Sequence, residues 1–137
     1  GLLAVEFFLT PENTLLVNEI APRPHNSGHH TIEVCQSSQF EQHLRAILNL
    51  PLGSTELTQA GAMLNLIGEK GHEGPVYYEG LEEILALPGV HPHLYAKATT
   101  KPFRKMGHIT IIANHLDRAL AVADEVRQIL GIGDDDD

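Results

Sequence analysis

Two glutamates stand inside apolar segments, where a charge is out of place. Glu6 lies in "LLAVEFFL" (2–9) and Glu19 in "LLVNEI" (15–20), and both segments read as β-strands. A hairpin folded at the turn between them puts Glu6 directly opposite Glu19 on one face, where cross-strand Cβ atoms lie about 4.5–5.5 Å apart. Because like charges repel at that distance, the pattern predicts that a proton, a basic side chain or a metal ion offsets them.

The pair consists of carboxylates alone, which favours a hard cation such as Mg²⁺. The expected register is centred between Glu12 and Asn13, and it turns the side chain of Asn18 to the opposite face from Glu19. Two alternatives stay open. Both glutamates are solvated on an open sheet face, or one of them pairs with Arg23.

A polar loop, "APRPHNSGHHT" (21–31), follows the second strand directly. It contains the candidate side chains Arg23, His25 and Asn26, and its two prolines stiffen the backbone. A stiff loop with a guanidinium, an imidazole and an amide can hold a planar, anionic or polar substrate. The alternative is a surface loop whose side chains cap the local backbone. A zinc site is disfavoured, because the adjacent histidines of this loop lack the spacing of a tetrahedral ligand set.

A second candidate is the basic segment "KATTKPFRKMGH" (97–108). Four of the nine basic residues of the chain fall within nine positions of it: Lys97, Lys101, Arg104 and Lys105. A lysine point charge beside an arginine fork suits a phosphate monoester. The alternative is a solvated basic turn that keeps a sheet edge soluble.

The elements that would position these residues form an α+β pattern. Beyond the hairpin, strands are expected over 62–68, 93–97 and 107–113. Helices are expected after the capping box of Ser38 and Glu41, over 80–89, and from Asn114–Asp117 until Gly131 and Gly133 end the last one. A break near residues 50–60 predicts two domains, 1–50 and 51–133, followed by an acidic, disordered tail over 134–137.

Composition narrows the function classes. The chain has 137 residues, 42% of them hydrophobic, and a formal charge of −9, which argues against non-specific nucleic-acid binding. Cys35 is the single cysteine, so an intramolecular disulfide is impossible and a cytoplasmic location fits. No apolar run reaches the roughly 20 residues of a membrane span. The chain lacks an initiator Met and starts inside a strand, so we expect a piece of a longer protein.

Two stretches carry a specific resemblance. "NEIAPRPHNSGHHTIE" (18–33) and "YAKATTKPFRKMGHITI" (95–111) resemble the C-terminal part of the N5-carboxyaminoimidazole ribonucleotide synthase family. These are ATP-dependent carboxylating ligases of purine biosynthesis in the ATP-grasp superfamily. The resemblance extends from Gly1 to about Leu130. It implies the C-terminal end of an ATP-grasp domain, built of antiparallel strands, followed by a small mixed β/α domain.

The resemblance also implies roles for single residues. Glu6 and Glu19 would hold Mg²⁺ against the ATP phosphates, and Asn18 with Glu19 would contact the nucleotide. The residues that would line the catalytic site for bicarbonate and aminoimidazole ribonucleotide are Arg23, His25 and Asn26. The pair that would grip the ribose 5-phosphate is Lys97 and Arg104. The family is commonly homodimeric, and this chain by itself would be inactive.

One position departs from the family pattern, which has glycine where this chain has Phe103, and this puts the turn before Arg104 in question. Two other functions stay open. The chain is a non-catalytic ligand-binding or assembly module, or it belongs to another ATP-grasp ligase with a different acceptor.

Overall fold

The computed structural model describes residues 1–134, and these divide into two compact units, the first ending at Thr58 and the second beginning at Gln59. Antiparallel strands combine with helices along the chain, which confirms the predicted α+β class. Within the described range, no helix is long and apolar enough to cross a membrane.

The first unit is a hairpin followed by a loop and two helices. Its elements are β1 (Ala4–Leu9), β2 (Leu15–Ala21), a 3₁₀ turn (Asn26–Gly28), α1 (Thr31–Val34) and α2 (Gln39–Ile47). Helix α2 begins as the sequence predicts, because the Ser38 hydroxyl accepts a hydrogen bond from the Glu41 amide at 3.2 Å. The predicted loop is only partly irregular, since it contains the 3₁₀ turn and the first residue of α1.

The hairpin of the first unit leaves large apolar side chains exposed on both faces. They include Phe7, Phe8, Leu9, Leu15, Leu16, Val17 and Ile20. A hairpin with so many exposed apolar side chains is typical of an element that packs against further protein. The core of the described chain lies instead in the second unit.

The second unit contains two three-stranded sheets and two helices. Its elements are β3 (Ala60–Ile67), β4 (Gly74–Glu79), α3 (Leu81–Leu85), β5 (Val90–Leu94), β6 (Thr99–Thr100), β7 (Lys105–Ala113), α4 (Leu116–Ile129) and β8 (Gly131–Asp134). The sheets have the strand orders β3-β7-β5 and β6-β4-β8, and every pair is antiparallel. Helix α4 packs across β3 and β7, and its buried residues Ala119, Val122, Ala123 and Val126 join the core.

Several boundaries of the second unit differ from the sequence predictions. The strand expected over 93–97 is Val90–Leu94, so Lys97 lies in the loop after it. Strand β4 and the short β6 were missed, and β8 replaces the predicted end of the last helix, because its backbone pairs with β4. The predicted acidic tail begins with the last residue of β8, and residues 135–137 lie outside the described range.

The division between the units falls after Thr58, whereas the sequence places it after residue 50. Hydrogen bonds tie the intervening segment to the first unit. Arg45 donates to the Pro51 carbonyl oxygen at 2.9 Å, and the Thr58 amide donates to the Val34 carbonyl oxygen at 2.8 Å. Segment 51–58 therefore belongs with the helices of the first unit.

Candidate functional site

The two strand glutamates lie opposite each other, as predicted, although the register that brings them together differs. Glu6 pairs with Glu19, but the next pair is Phe7 with Val17, so Asn18 is an extra residue in β2. This β-bulge shifts the register between the glutamates and the turn by one residue. The prediction of facing carboxylates is confirmed, and the uninterrupted register behind it is wrong.

Because of the bulge, the side chain of Asn18 points in a different direction from the predicted one. Its side chain does not turn away from the glutamates, because Nδ2 donates a hydrogen bond to Glu6 Oε2 at 3.3 Å. A bulge re-aims side chains in this way by adding a residue to one strand only. Asn18 therefore lies beside the carboxylate pair.

A basic side chain lies between the two carboxylates, and it is His25. Its Nε2 is 2.7 Å from Glu19 Oε1, and its Nδ1 is 3.2 Å from Glu6 Oε1. Ligand atoms of Glu6, Glu19 and His25 all lie within 4.8 Å of one another. The ring is 12% exposed, against 34% and 51% for the side chains of Glu6 and Glu19. The basic side chain that the sequence left open as a partner of the carboxylates is thus His25, not Arg23.

The hydrogen bonds of His25 set its chemistry. Because a carboxylate only accepts, Nε2 must carry the proton that is donated to Glu19. Nδ1 lies 2.9 Å from the Ser27 hydroxyl and 3.2 Å from Glu6 Oε1. The imidazole therefore contacts both carboxylates and the loop that follows them.

The other loop candidates lie close in sequence but have different contacts. The Arg23 guanidinium is exposed and donates to the Pro24 carbonyl oxygen at 3.0 Å, so His25 is the basic group between the carboxylates. Asn26 begins the 3₁₀ turn and is half-buried. The sequence analysis assigned no role to Ser27, which contacts the imidazole, or to Gln39, which contacts the loop backbone. Neither has a local sequence signal, because both act through contacts fixed by the folded loop.

The basic candidates belong to the second unit. Lys97 Nζ donates to the Lys105 carbonyl oxygen and lies 5.7 Å from the centre of the Tyr95 ring. Burial raises the pKa of the Tyr95 phenol, whose oxygen is 3.0 Å from His108 Nδ1. The phenol therefore stays neutral beside the lysine.

Arg104 lines an open recess of about 410 Å³, together with Glu73, Gly74, Thr99, Thr100 and Lys101. Its Nη1 donates to the carbonyl and hydroxyl oxygens of Thr99, both at 3.1 Å. Phe103 has a φ of 64°, in the left-handed region that glycine adopts at low cost. Phenylalanine at this position therefore adopts a backbone conformation that glycine would adopt at lower cost.

Comparison with known proteins also divides the chain into two parts. An ATP-grasp domain model matches residues 1–40, and a model described as phosphoribosylaminoimidazole carboxylase C-terminal domain matches residues 61–122. N5-carboxyaminoimidazole ribonucleotide synthase of Bacillus subtilis is 51% identical over 112 residues, which are 82% of this chain and 28% of that protein. The chloroplastic phosphoribosylaminoimidazole carboxylase of Vigna aconitifolia is 49% identical over 119 residues, 85% of this chain and 21% of that protein.

Solved structures give the same result. N5-carboxyaminoimidazole ribonucleotide synthetase from Thermotoga maritima matches with a TM-score of 0.93 and 53% identity, over 97% of this chain and 37% of that one. The Aspergillus clavatus synthase, in complex with ADP and 5-aminoimidazole ribonucleotide, matches with a TM-score of 0.80 and 41% identity, over 92% of this chain and 34% of that one. The chain thus spans between a fifth and two fifths of the length of these relatives. It belongs to the N5-carboxyaminoimidazole ribonucleotide synthase family, as a C-terminal part.

Proposed function

We propose that this chain is the C-terminal part of an ATP-dependent ligase of purine biosynthesis. The complete protein would use ATP to activate bicarbonate and would then carboxylate the amine of aminoimidazole ribonucleotide. The observation that carries the proposal is the convergence of Glu6, Glu19 and His25 on one side of the hairpin. It is supported by the similarity to N5-carboxyaminoimidazole ribonucleotide synthases and by the relative solved in complex with ADP and 5-aminoimidazole ribonucleotide.

Mg²⁺ fits the carboxylates of this site. Glu6 and Glu19 offer oxygen ligands close enough to share one ion, and Mg²⁺ commonly uses one or two carboxylates together with substrate phosphates. The ion would supply charge stabilisation for the phosphoryl group that is transferred. Asn18, which already donates to Glu6, would contact the nucleotide beside it.

The remaining candidate residues would bind the other substrates. Arg23, His25 and Asn26 would orient bicarbonate and the aminoimidazole amine, with the exposed guanidinium of Arg23 available to an anion. Lys97 and Arg104 would hold the ribose 5-phosphate. Lys97 now donates to the Lys105 carbonyl oxygen and Arg104 to the Thr99 carbonyl oxygen, and they would exchange these acceptors for phosphate oxygens. We further propose a homodimer and a cytoplasmic location for the complete protein.

The activity test compares the complete protein with the present chain. We expect the complete protein to release phosphate from ATP only when bicarbonate and aminoimidazole ribonucleotide are both present. We expect no release from the 137-residue chain, because it spans only part of its relatives. A coupled phosphate assay measures both. Release that does not depend on the ribonucleotide would favour another ATP-grasp ligase, and release by the chain alone would contradict the expected inactivity.

Ribonucleotide binding tests the two basic residues. Lys97→Ala and Arg104→Ala are each expected to weaken binding of aminoimidazole ribonucleotide to the chain about tenfold, because each removes a charged hydrogen bond to phosphate. Calorimetry without ATP measures the effect, and Lys70→Ala, an exposed lysine of the same unit, is the matched control. Equal effects at all three positions would point to general charge attraction. Absence of binding in a chain that self-associates would favour the assembly module.

A further inference from the structure

The position of His25 depends on a buried side chain that lies fourteen residues further along the chain. Gln39, the first residue of α2, is only 8% exposed. Its Oε1 accepts from the His25 amide at 2.9 Å, and its Nε2 donates to the His25 carbonyl oxygen at 2.8 Å. One side-chain amide thus satisfies both backbone groups of a single loop residue, as a neighbouring β-strand would.

The same glutamine is itself held in place. Its backbone amide donates to Thr31 Oγ1 at 2.9 Å, and that hydroxyl donates to the Gly28 carbonyl oxygen at 2.6 Å. A Cβ added to Gly28 would lie 2.6 Å from Gln39 Oε1, so the 3₁₀ turn packs directly against the amide. Nε2 is also 2.9 Å from His29 Nδ1. These contacts leave the amide little freedom to rotate.

We propose that Gln39 is the positioning residue that fixes His25 between Glu6 and Glu19. His25 has an extended backbone, with φ −120° and ψ 150°, at the point where the chain enters the 3₁₀ turn. The amide of Gln39 anchors that point to a helix whose start is capped, so the ring extends from a fixed Cα towards the carboxylates. This inference rests on the proposed function, because positioning affects chemistry only if the carboxylates bind a cation or substrate.

The position of the ring is sensitive to small movements. His25 Nε2 lies 2.7 Å from Glu19, within hydrogen-bond distance, and a shift of about 1 Å would break this contact. His25 offers a ligand atom within 4.8 Å of those of Glu6 and Glu19, so the ring can bind the same ion. Groups that orient the ligands of a metal site change its affinity by roughly 10- to 100-fold when they are removed. If Gln39 only stabilised the loop, its substitution would lower the stability of the chain. The contact between His25 and Glu19 would then be unchanged in the folded chain.

The chain offers a closely matched control. Gln42, on the same helix, makes the same double contact with another residue: its Nε2 donates to the Gly53 carbonyl oxygen at 2.7 Å, and its Oε1 accepts from the Gly53 amide at 2.9 Å. Gln42→Ala therefore removes equivalent hydrogen bonds from α2 without touching the loop of His25. Gln39→Glu is a second variant, which keeps an acceptor for the His25 amide and loses the donor.

The experiment measures three properties of the 137-residue chain: thermal stability, the NMR signals of the His25 ring, and affinity for Mn²⁺ as the probe for Mg²⁺. We expect Gln39→Ala and Gln42→Ala to lower the melting temperature similarly. Only Gln39→Ala should shift the His25 ring signals and weaken Mn²⁺ binding, by about tenfold. Gln39→Glu should fall between Gln39→Ala and the unmodified chain.

Each outcome decides one point. Equal Mn²⁺ affinity and unchanged His25 signals in Gln39→Ala would overturn the positioning role, as would equal losses in Gln42→Ala. If Gln39→Ala does not fold, the same comparison is made with Gln39→Glu. If the unmodified chain binds no Mn²⁺, the proposed metal site fails, and the His25 signals still test whether Gln39 positions the ring.

Discussion

Glu19→Gln is expected to lower the Mn²⁺ affinity of the chain by roughly 100-fold. The substitution keeps the size of the side chain and removes one of the two negative charges that face the proposed ion. At a separation of about 4 Å and an effective dielectric constant near 20, a pair of unit charges interacts by about 4 kcal/mol, and a divalent ion by more, before its lost hydration is subtracted. A remainder of about 2.7 kcal/mol gives the hundredfold change.

Glu6→Gln should have a similar effect, and the double variant should lose much less than the sum of the two. Both carboxylates would hold the same ion, so removing one already removes most of the site, and effects of groups that act together are not additive. Isothermal titration with Mn²⁺ measures all three variants. Glu12→Gln, in the exposed turn of the same hairpin, is the control for net charge. An affinity of Glu19→Gln within twofold of the control would mean that the two carboxylates do not share an ion.

The convergence of the carboxylates was predictable because alternation along two apolar strands fixes which side chains share a face. The bulge at Asn18 was not predictable, since an extra residue does not change the hydrophobic pattern of a strand in a recognisable way. Its effect on the turn happens to compensate for the wrong centre of the hairpin, so Glu6 still meets Glu19. The predicted direction of the Asn18 side chain, away from Glu19, is wrong because Asn18 is itself the extra residue.

The place of His25 could not be read from the sequence for a different reason. The loop backbone is held by Gln39, and a contact over that distance in the chain is tertiary. Composition indicated that the loop is polar and stiff, but not that an imidazole enters the carboxylate pair. The resemblance implied that His25 belongs to the site, whereas its contacts with the two carboxylates follow only from the fold.

Secondary structure shows the same limit. Helix α2 was predictable from its capping serine and its apolar face, which are local signals. Strand β8 has the sequence "GIGD", which lacks strand propensity, and it forms because the backbone of β4 offers hydrogen bonds. Strands that depend on a distant partner are therefore the elements that local patterns miss.

Truncation of Ile109 is expected to destabilise the second unit by about 2–5 kcal/mol. Ile109 is fully buried in β7, the central strand of its sheet, between Leu64 of β3 and Pro92 of β5. Ile109→Ala removes buried methyl and methylene groups and leaves a cavity that the flanking strands cannot close. Substitutions of this kind cost about 2–5 kcal/mol, a large part of the 5–15 kcal/mol that stabilises an ordinary domain.

Tyrosine fluorescence can follow the unfolding of this unit in urea, because the chain has no tryptophan and its three tyrosines, Tyr77, Tyr78 and Tyr95, all lie beyond Gln59. Ile67→Ala is the matched control, since Ile67 lies in the edge strand β3 and is 42% exposed. It should cost less than about 1 kcal/mol. A tyrosine transition in Ile109→Ala that coincides with that of the control would contradict the assignment of β7 as the centre of the core.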